Sequence, residues 1–158
     1  QAYLAFYGAN DSGESMPPPS GAGLTCASLD PISGCDTGYI GSFKHNMQLM
    51  INAAAAAGKQ IILAKAPPHL TNATRDTLIR GYNGAIGELV LENGFDYTPP
   101  DFHAYFADPL NGPNASSVFD LMWNALHPNG EGYQDMADLW CQSLNGLSLN
   151  GQAIACSP

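Results

Sequence analysis

The chain has 158 residues, 45% of them hydrophobic and only 12% charged, which suits a single compact domain (1–158) and excludes a disordered or fibrous protein. Fourteen acidic against 5 basic residues give a net charge of -9, a balance that repels phosphate backbones and argues against nucleic acid or an anionic membrane as partner. No apolar run reaches the ~18 residues needed to cross a bilayer; the longest, Met47 to Ala57, is interrupted by Gln48 and Asn52.

Taken in order, the chain opens Gln1-Ala2-Tyr3-Leu4-Ala5-Phe6-Tyr7, a nearly continuous apolar run closed by Gly8-Ala9-Asn10-Asp11. Such a run predicts a strand buried on both faces, central in a parallel sheet, with neighbours on both sides. From Asp11 to Gly41 the composition turns to Gly, Pro, Ser and Asp, a long excursion that Cys26 and Cys35 are placed to pin. Phe43, Met47, Met50, Ile51 and Ala54 recur at helical spacing, so Phe43 to Ala57 reads as a helix stopped by Gly58. Gln60 to Ala66 reads as the next strand, ended by Pro67-Pro68.

A second helix is expected from about Thr74, with Leu78, Tyr82, Ala85, Ile86 and Leu89 on one face and Gly94 beyond its end. Phe95-Asp96-Tyr97-Thr98 reads as a short third strand and Pro100 to Phe106 as a turn or short helix carrying aromatics. Tyr133 to Leu144 is the last amphipathic segment. This alternation predicts an α/β fold with a parallel sheet and covering helices, whose sites collect beyond the carboxyl ends of the strands. Tyr97, Phe102, Tyr105, Phe106 and Trp123 either line an acyl or sugar pocket or pack the core; their spacing fits both.

The four cysteines form two local pairs, Cys26 with Cys35 and Cys141 with Cys156. Four cysteines allow three connectivities, and proximity favours these two loops. No Cys-x-x-Cys spacing and no nearby histidine points to zinc. An oxidising setting, secreted or periplasmic, is therefore expected. Asn72-Ala73-Thr74 and Asn114-Ala115-Ser116 fit the glycosylation acceptor pattern, which matters only in a eukaryotic source.

The most chemically suggestive stretch is Met122 to Tyr133, where His127-Pro128-Asn129-Gly130 sets an imidazole at the mouth of the last helix. A histidine changes charge near neutral pH and, in a short turn at a helix mouth, can face a cleft as a general base. A solvated surface histidine is the plain alternative.

Two separated motifs then converge. Gly8-Ala9-Asn10-Asp11 at a strand end, together with His127-Pro128 before the last helix, resembles two of the sequence blocks of the SGNH/GDSL ester hydrolases. The similarity extends through Ala56-Ala57-Gly58-Lys59 with the strand ending Pro67-Pro68, and through Gly130-Glu131-Gly132-Tyr133 with Met136-Ala137, so it covers essentially the whole chain. The resemblance implies a flavodoxin-like, three-layer α/β/α sandwich and a serine ester hydrolase needing no metal or organic cofactor. It implies that Asn10 donates its side-chain amide to the oxyanion, that Gly8 lets that turn form, and that His127 takes the proton from the serine. Losing one oxyanion donor typically costs ~3 to 4 kcal/mol of barrier stabilisation. The implied substrates are esters, including acylated carbohydrates or lipids.

The chain departs from the family at two points. The family's Gly-Asp-Ser segment follows its first strand, yet no Gly-Asp-Ser occurs here and the chain begins at what corresponds to the third strand; Ser12 follows the asparagine motif instead and is a poor substitute. A domain incomplete at its N-terminus is therefore expected, with an N-terminal segment or separate chain supplying the first two strands and the serine. Secondly, Asn124 stands three residues before His127, where the family usually has aspartate. A neutral amide can orient the ring but stabilises the imidazolium less; Asp120 or a backbone carbonyl are the other candidates for that role. These departures keep open an inactive relative serving as a binding or structural module, and an acyltransferase would use the same site.

Overall fold

The computed structural model describes residues 2–9, 12, 42–108, 121–122, 124–149 and 152–155. Its elements run β1 (Ala2–Phe6), α1 (Phe43–Ala56), β2 (Gln60–Ala64), α2 (Ala73–Glu92), α3 (Phe102–Ala107), α4 (Gly130–Leu144), β3 (Ser148–Leu149) and β4 (Gln152–Ala153). The fold is mixed α/β around a small parallel sheet: β1 pairs with β2 from Ala2 opposite Gln60 to Phe6 opposite Ala64. An antiparallel β3–β4 hairpin closes the described chain.

Local chemistry accounts for the helix ends. Ser42 caps α1 by accepting the His45 amide, Asn72 caps α2 by accepting that of Arg75, and Asn129 caps α4 by accepting that of Gly132, each satisfying an amide that the first turn leaves without a helical partner. The last helix thus begins three residues before the expected Tyr133, and His127 lies just outside it.

Side chains alternate across the sheet. Ala5, Ile61 and Leu63 join Phe43, Met47 and Ile51 of α1 and Tyr82, Ile86 and Leu89 of α2 in one buried cluster. Ala64 belongs to a second, with Phe102 and Phe106 of α3, Met136 of α4, and Leu121 and Met122 from the segment before α4. Phe102 and Phe106 are therefore core, their rings against Trp140 and Tyr105 respectively. The Tyr105 hydroxyl donates to Asp135 Oδ2 at 3.0 Å, and Trp123 lies outside the described residues.

Two expectations are corrected. Phe95 to Thr98 forms bends rather than a strand. The Leu63 amide, which a neighbouring strand's carbonyl would have accepted, donates instead to the Tyr97 hydroxyl at 2.8 Å. Backbone contact resumes only at the single Lys65–Asp101 bridge, beside Pro99-Pro100, which have no amide hydrogens to give a ladder. Burial pushes the Tyr97 phenol up to about 12, against the opposing pull of the Leu63 amide.

The second correction concerns β1, which is not buried on both faces. Tyr3 and Leu4 are more than half exposed, and Phe6 and Tyr7 are 38% and 48% exposed; among the described residues β2 is the one strand paired with it. Of the cysteines, Cys141 is described and disulfide-bonded, while Cys26, Cys35 and Cys156 lie outside the described residues. No helix among the described residues is long and apolar enough to cross a membrane.

Candidate active site

The carboxyl ends of both parallel strands meet one loop. Ala9, just past β1, packs against a buried trio of Ala66, just past β2, Ile79 of α2 and Leu126. Ala66 is held by Asn83, whose side chain accepts its amide at 2.7 Å and donates to its carbonyl at 2.9 Å. That amide side chain imitates a neighbouring strand inside the core, where an unpaired backbone group is costly.

Gly8 turns the chain at φ +111°, and a Cβ there would lie 3.3 Å from Tyr82 Cβ. A left-handed residue pressed against a buried ring admits little but glycine. Ser12 completes the turn: its amide donates to Gly8 O at 3.1 Å and its hydroxyl to Ala9 O at 2.6 Å. Arg75 Nε donates to that same hydroxyl at 3.3 Å. Ser12 is thus committed to turn structure, with no base among its described partners. Asn10, the expected oxyanion donor, lies outside the described residues.

His127 is exposed, and its Nδ1 lies 3.1 Å from Asn124 Oδ1. The same oxygen accepts the backbone amides of Leu126 and His127, each at 2.9 Å. An atom receiving two N–H groups must be the amide oxygen, so the ring Nδ1 must be the donor, which leaves Nε2 as the free acceptor. Asn124 therefore closes the turn and orients the imidazole with one atom. Asp120, the other candidate for that role, lies outside the described residues.

The turn itself is fixed on three sides. Met122 bridges Pro128, the Asn129 amide donates to Leu121 O at 2.9 Å, and the Leu70 amide donates to Ala125 O at 2.9 Å. A Cβ on Gly132 would come within 2.2 Å of Leu121 O. The absence of a side chain at Gly132 is what lets α4 lie against this loop.

Beside these turns stands a charged network that sequence reasoning missed. Asp76 Oδ1 accepts the His69 amide at 3.1 Å and pairs with His103 Nε2 at 3.0 Å, while Oδ2 pairs with Arg80 at 2.9 Å. Lys65 pairs with Asp101 at 2.6 Å, and Lys65, Arg80, Asn83, Asp101 and His103 line an open cleft of about 280 Å³. Burial raises the Asp101 carboxyl, but the hydrogen bonds and charge of Lys65 and the Ala104 amide outweigh it and hold it below its usual range. Three of the chain's five basic residues, Lys65, Arg75 and Arg80, gather here. That concentration is invisible in the sequence, because it forms only when the end of β2 and α2 are brought together.

The arrangement can abstract a proton at His127 Nε2 from a hydroxyl within hydrogen-bond reach of that nitrogen. Among the described residues no three His, Cys, Asp or Glu side chains are grouped to hold a metal ion. No family model, curated protein or solved structure matches the chain.

Proposed function

We propose that this chain carries the general base of a serine ester hydrolase of the SGNH/GDSL type, on a flavodoxin-like three-layer fold. The observation that carries the reading is the Asn124–His127 bond of 3.1 Å, at the edge where Ala9, Ala66 and Leu126 converge. A histidine whose Nδ1 is occupied and whose Nε2 is free is prepared to take a proton from a hydroxyl.

In the proposed reaction His127 Nε2 removes the proton of a serine hydroxyl as its oxygen attacks the ester carbonyl. Asn10, following the turn that Gly8 makes possible, donates to the oxyanion that develops. The imidazolium returns its proton to the leaving alcohol as the C–O bond breaks, and the acyl-enzyme is then hydrolysed by the same base acting on water. This chemistry calls on no metal or organic cofactor. Its substrates are esters, with acylated carbohydrates or lipids as the classes the resemblance offers, in a secreted or periplasmic setting.

The serine comes from an N-terminal segment or chain that completes the sheet along β1. The apolar residues left open on and just beyond that strand, Tyr3, Leu4, Phe6 and Tyr7, support this, because an exposed apolar edge strand is an aggregation hazard that proteins cover. The clusters on opposite faces of the sheet support the three-layer arrangement.

The neutral Asn124 and the lack of a Gly-Asp-Ser segment favour a second reading, an inactive binding or structural module; an acyltransferase would use the same groups. A fluorophosphonate probe applied to the full-length protein separates enzyme from module. Covalent labelling that disappears in His127→Ala is the expected result, and no labelling of folded wild-type protein would reject the hydrolase.

A further inference from the structure

Two consecutive residues in the first turn of α2 reach both halves of the candidate site. Arg75 donates through Nε to Ser12 Oγ at 3.3 Å and through its terminal nitrogen to Ala9 O at 3.4 Å, so it grips the turn after β1 on both sides of Asn10-Asp11 in sequence. Asp76 accepts the His69 amide at 3.1 Å, and the next residue, Leu70, donates its amide to Ala125 O at 2.9 Å. Ala125 lies inside the Asn124-to-His127 turn. One path therefore runs from α2 to the Gly8 turn and another from α2 to the histidine turn.

The platform behind these paths is rigid. Asn72 caps the helix by accepting Arg75's own amide at 3.0 Å, and Ile79 and Tyr82, one and two turns on, are fully buried. Asp76 is itself held from the far side by Arg80 at 2.9 Å and His103 at 3.0 Å, with its side chain 14% exposed. A carboxylate fixed by two cationic or hydrogen-bonding partners makes a firm acceptor for a loop amide.

We infer that Arg75 and Asp76 are positioning residues that together hold the turn after Gly8 and the turn bearing His127 at the separation acyl transfer requires. This rests on the hydrolase reading for its consequence, though not for its geometry. Neither residue touches the reacting atoms; Asp76 acts through the His69 amide, and Arg75 through the Ala9 carbonyl and the Ser12 hydroxyl. Their loss should lower turnover without weakening substrate binding, since misplacing a catalytic group by about 1 Å costs about a hundredfold.

The test uses full-length, ¹⁵N-labelled protein with p-nitrophenyl acetate as the ester probe. Asp76→Ala should shift the amide resonances of Leu70, Ala125, Leu126 and His127, and Arg75→Met those of Ala9 and Ser12. Each should lower kcat about a hundredfold while KM stays within about twofold. Asp76→Asn, which keeps an acceptor for the His69 amide, and Arg75→Lys should restore most of that loss. Should the alanine variant not fold, Asp76→Glu, with its carboxylate one methylene further out, should give the same shifts at Ala125 to His127.

Unmoved resonances at Ala125 to His127 overturn the inference, as does a loss of kcat that tracks thermal stability and is not restored by Asn or Lys. If wild-type protein hydrolyses no ester, the hydrolase reading fails separately, and the resonances alone decide: shifts in both turns uphold the clamp, and their absence rejects it.

Discussion

Asn124 and His127 meet through a single atom. Asn124 Oδ1 accepts the ring Nδ1 at 3.1 Å and the Leu126 and His127 amides at 2.9 Å each, so turn closure and ring orientation cannot be changed independently. Aspartate at this position keeps all three acceptances and adds a charge that stabilises the imidazolium. In the full-length protein Asn124→Asp is expected to raise kcat for a short-chain ester by about tenfold or more, the converse of the Asp-to-Asn loss known in serine proteases. Asn124→Ala removes the acceptor and should cost about 1 to 2 kcal/mol of stability as well as turnover. Steady-state kinetics and denaturant unfolding check both; no gain with aspartate would mean that another group already serves as the third member.

Gly8 and Gly58 both have positive φ, +111° and +65°, but only Gly8 has a neighbour, Tyr82, within reach of an added Cβ. Gly58→Ala introduces backbone strain alone, about 1 kcal/mol. Gly8→Ala introduces strain and a contact against a buried ring, about 2 to 3 kcal/mol together. The difference between the two midpoints in urea unfolding reads the Tyr82 contact together with the extra strain of φ +111° over +65°, and equal losses would show that the turn and the ring both give way freely.

Much of this architecture was legible because it is local. Phe43, Met47 and Ile51 are buried at the spacing that announced α1, and the Gln60–Ala64 run forms β2. What was not legible depends on partners distant in sequence. Phe95 to Thr98 has strand composition, but the Tyr97 hydroxyl takes the Leu63 amide that a strand would have used. Arg75 and Asp76 look like ordinary first-turn charges until Ala9, Ser12 and His69 are folded against them. The Asn124–His127 pair, three residues apart, and the place of Asn10 in the site were both read through the sequence resemblance.

Lys44 shows how the cation-poor composition is used in the core. Its side chain is 5% exposed and its ammonium sits 2.7 Å from Glu88 and 2.6 Å from Glu92, joining α1 to α2. Burial lowers its affinity for a proton, but the two carboxylates outweigh burial and hold it above the ordinary 10.5. A raised lysine contributes stability in full below its unfolded value and loses it as pH rises through the folded one. Lys44→Met should therefore cost about 2 kcal/mol near neutral pH, less than a fully buried pair because Glu92 is half exposed. The gap between wild type and variant, read from urea midpoints, should narrow above pH 10.5; a gap independent of pH would assign the loss to packing instead.

His69 gives the opposite slope, on the acid side. Its Nδ1 is buried with no hydrogen-bond partner among the described residues. Burial disfavours the imidazolium, the Arg75 charge adds to that, and its own backbone and Asp76 oppose both without prevailing, so its basicity falls below the ordinary 6.5. The unfolded chain then binds a proton at a pH where the native protein does not. The stabilisation is present in full above 6.5 and is lost as pH falls through 6.5 toward the folded value. His69→Gln, which cannot take up the proton, should flatten the fall in thermal midpoint between about pH 7 and 5 relative to wild type, the carboxylates being common to both. Because the His69 amide is the link between Asp76 and the loop that carries Leu70, the same acid range should loosen the support of the His127 turn. The Leu70 amide of wild-type protein, which donates to Ala125 O, should therefore exchange with solvent faster at about pH 5 than at about pH 7, after correction for intrinsic rates, and that of His69→Gln should not. Parallel pH dependence in the two proteins would place the acid sensitivity elsewhere.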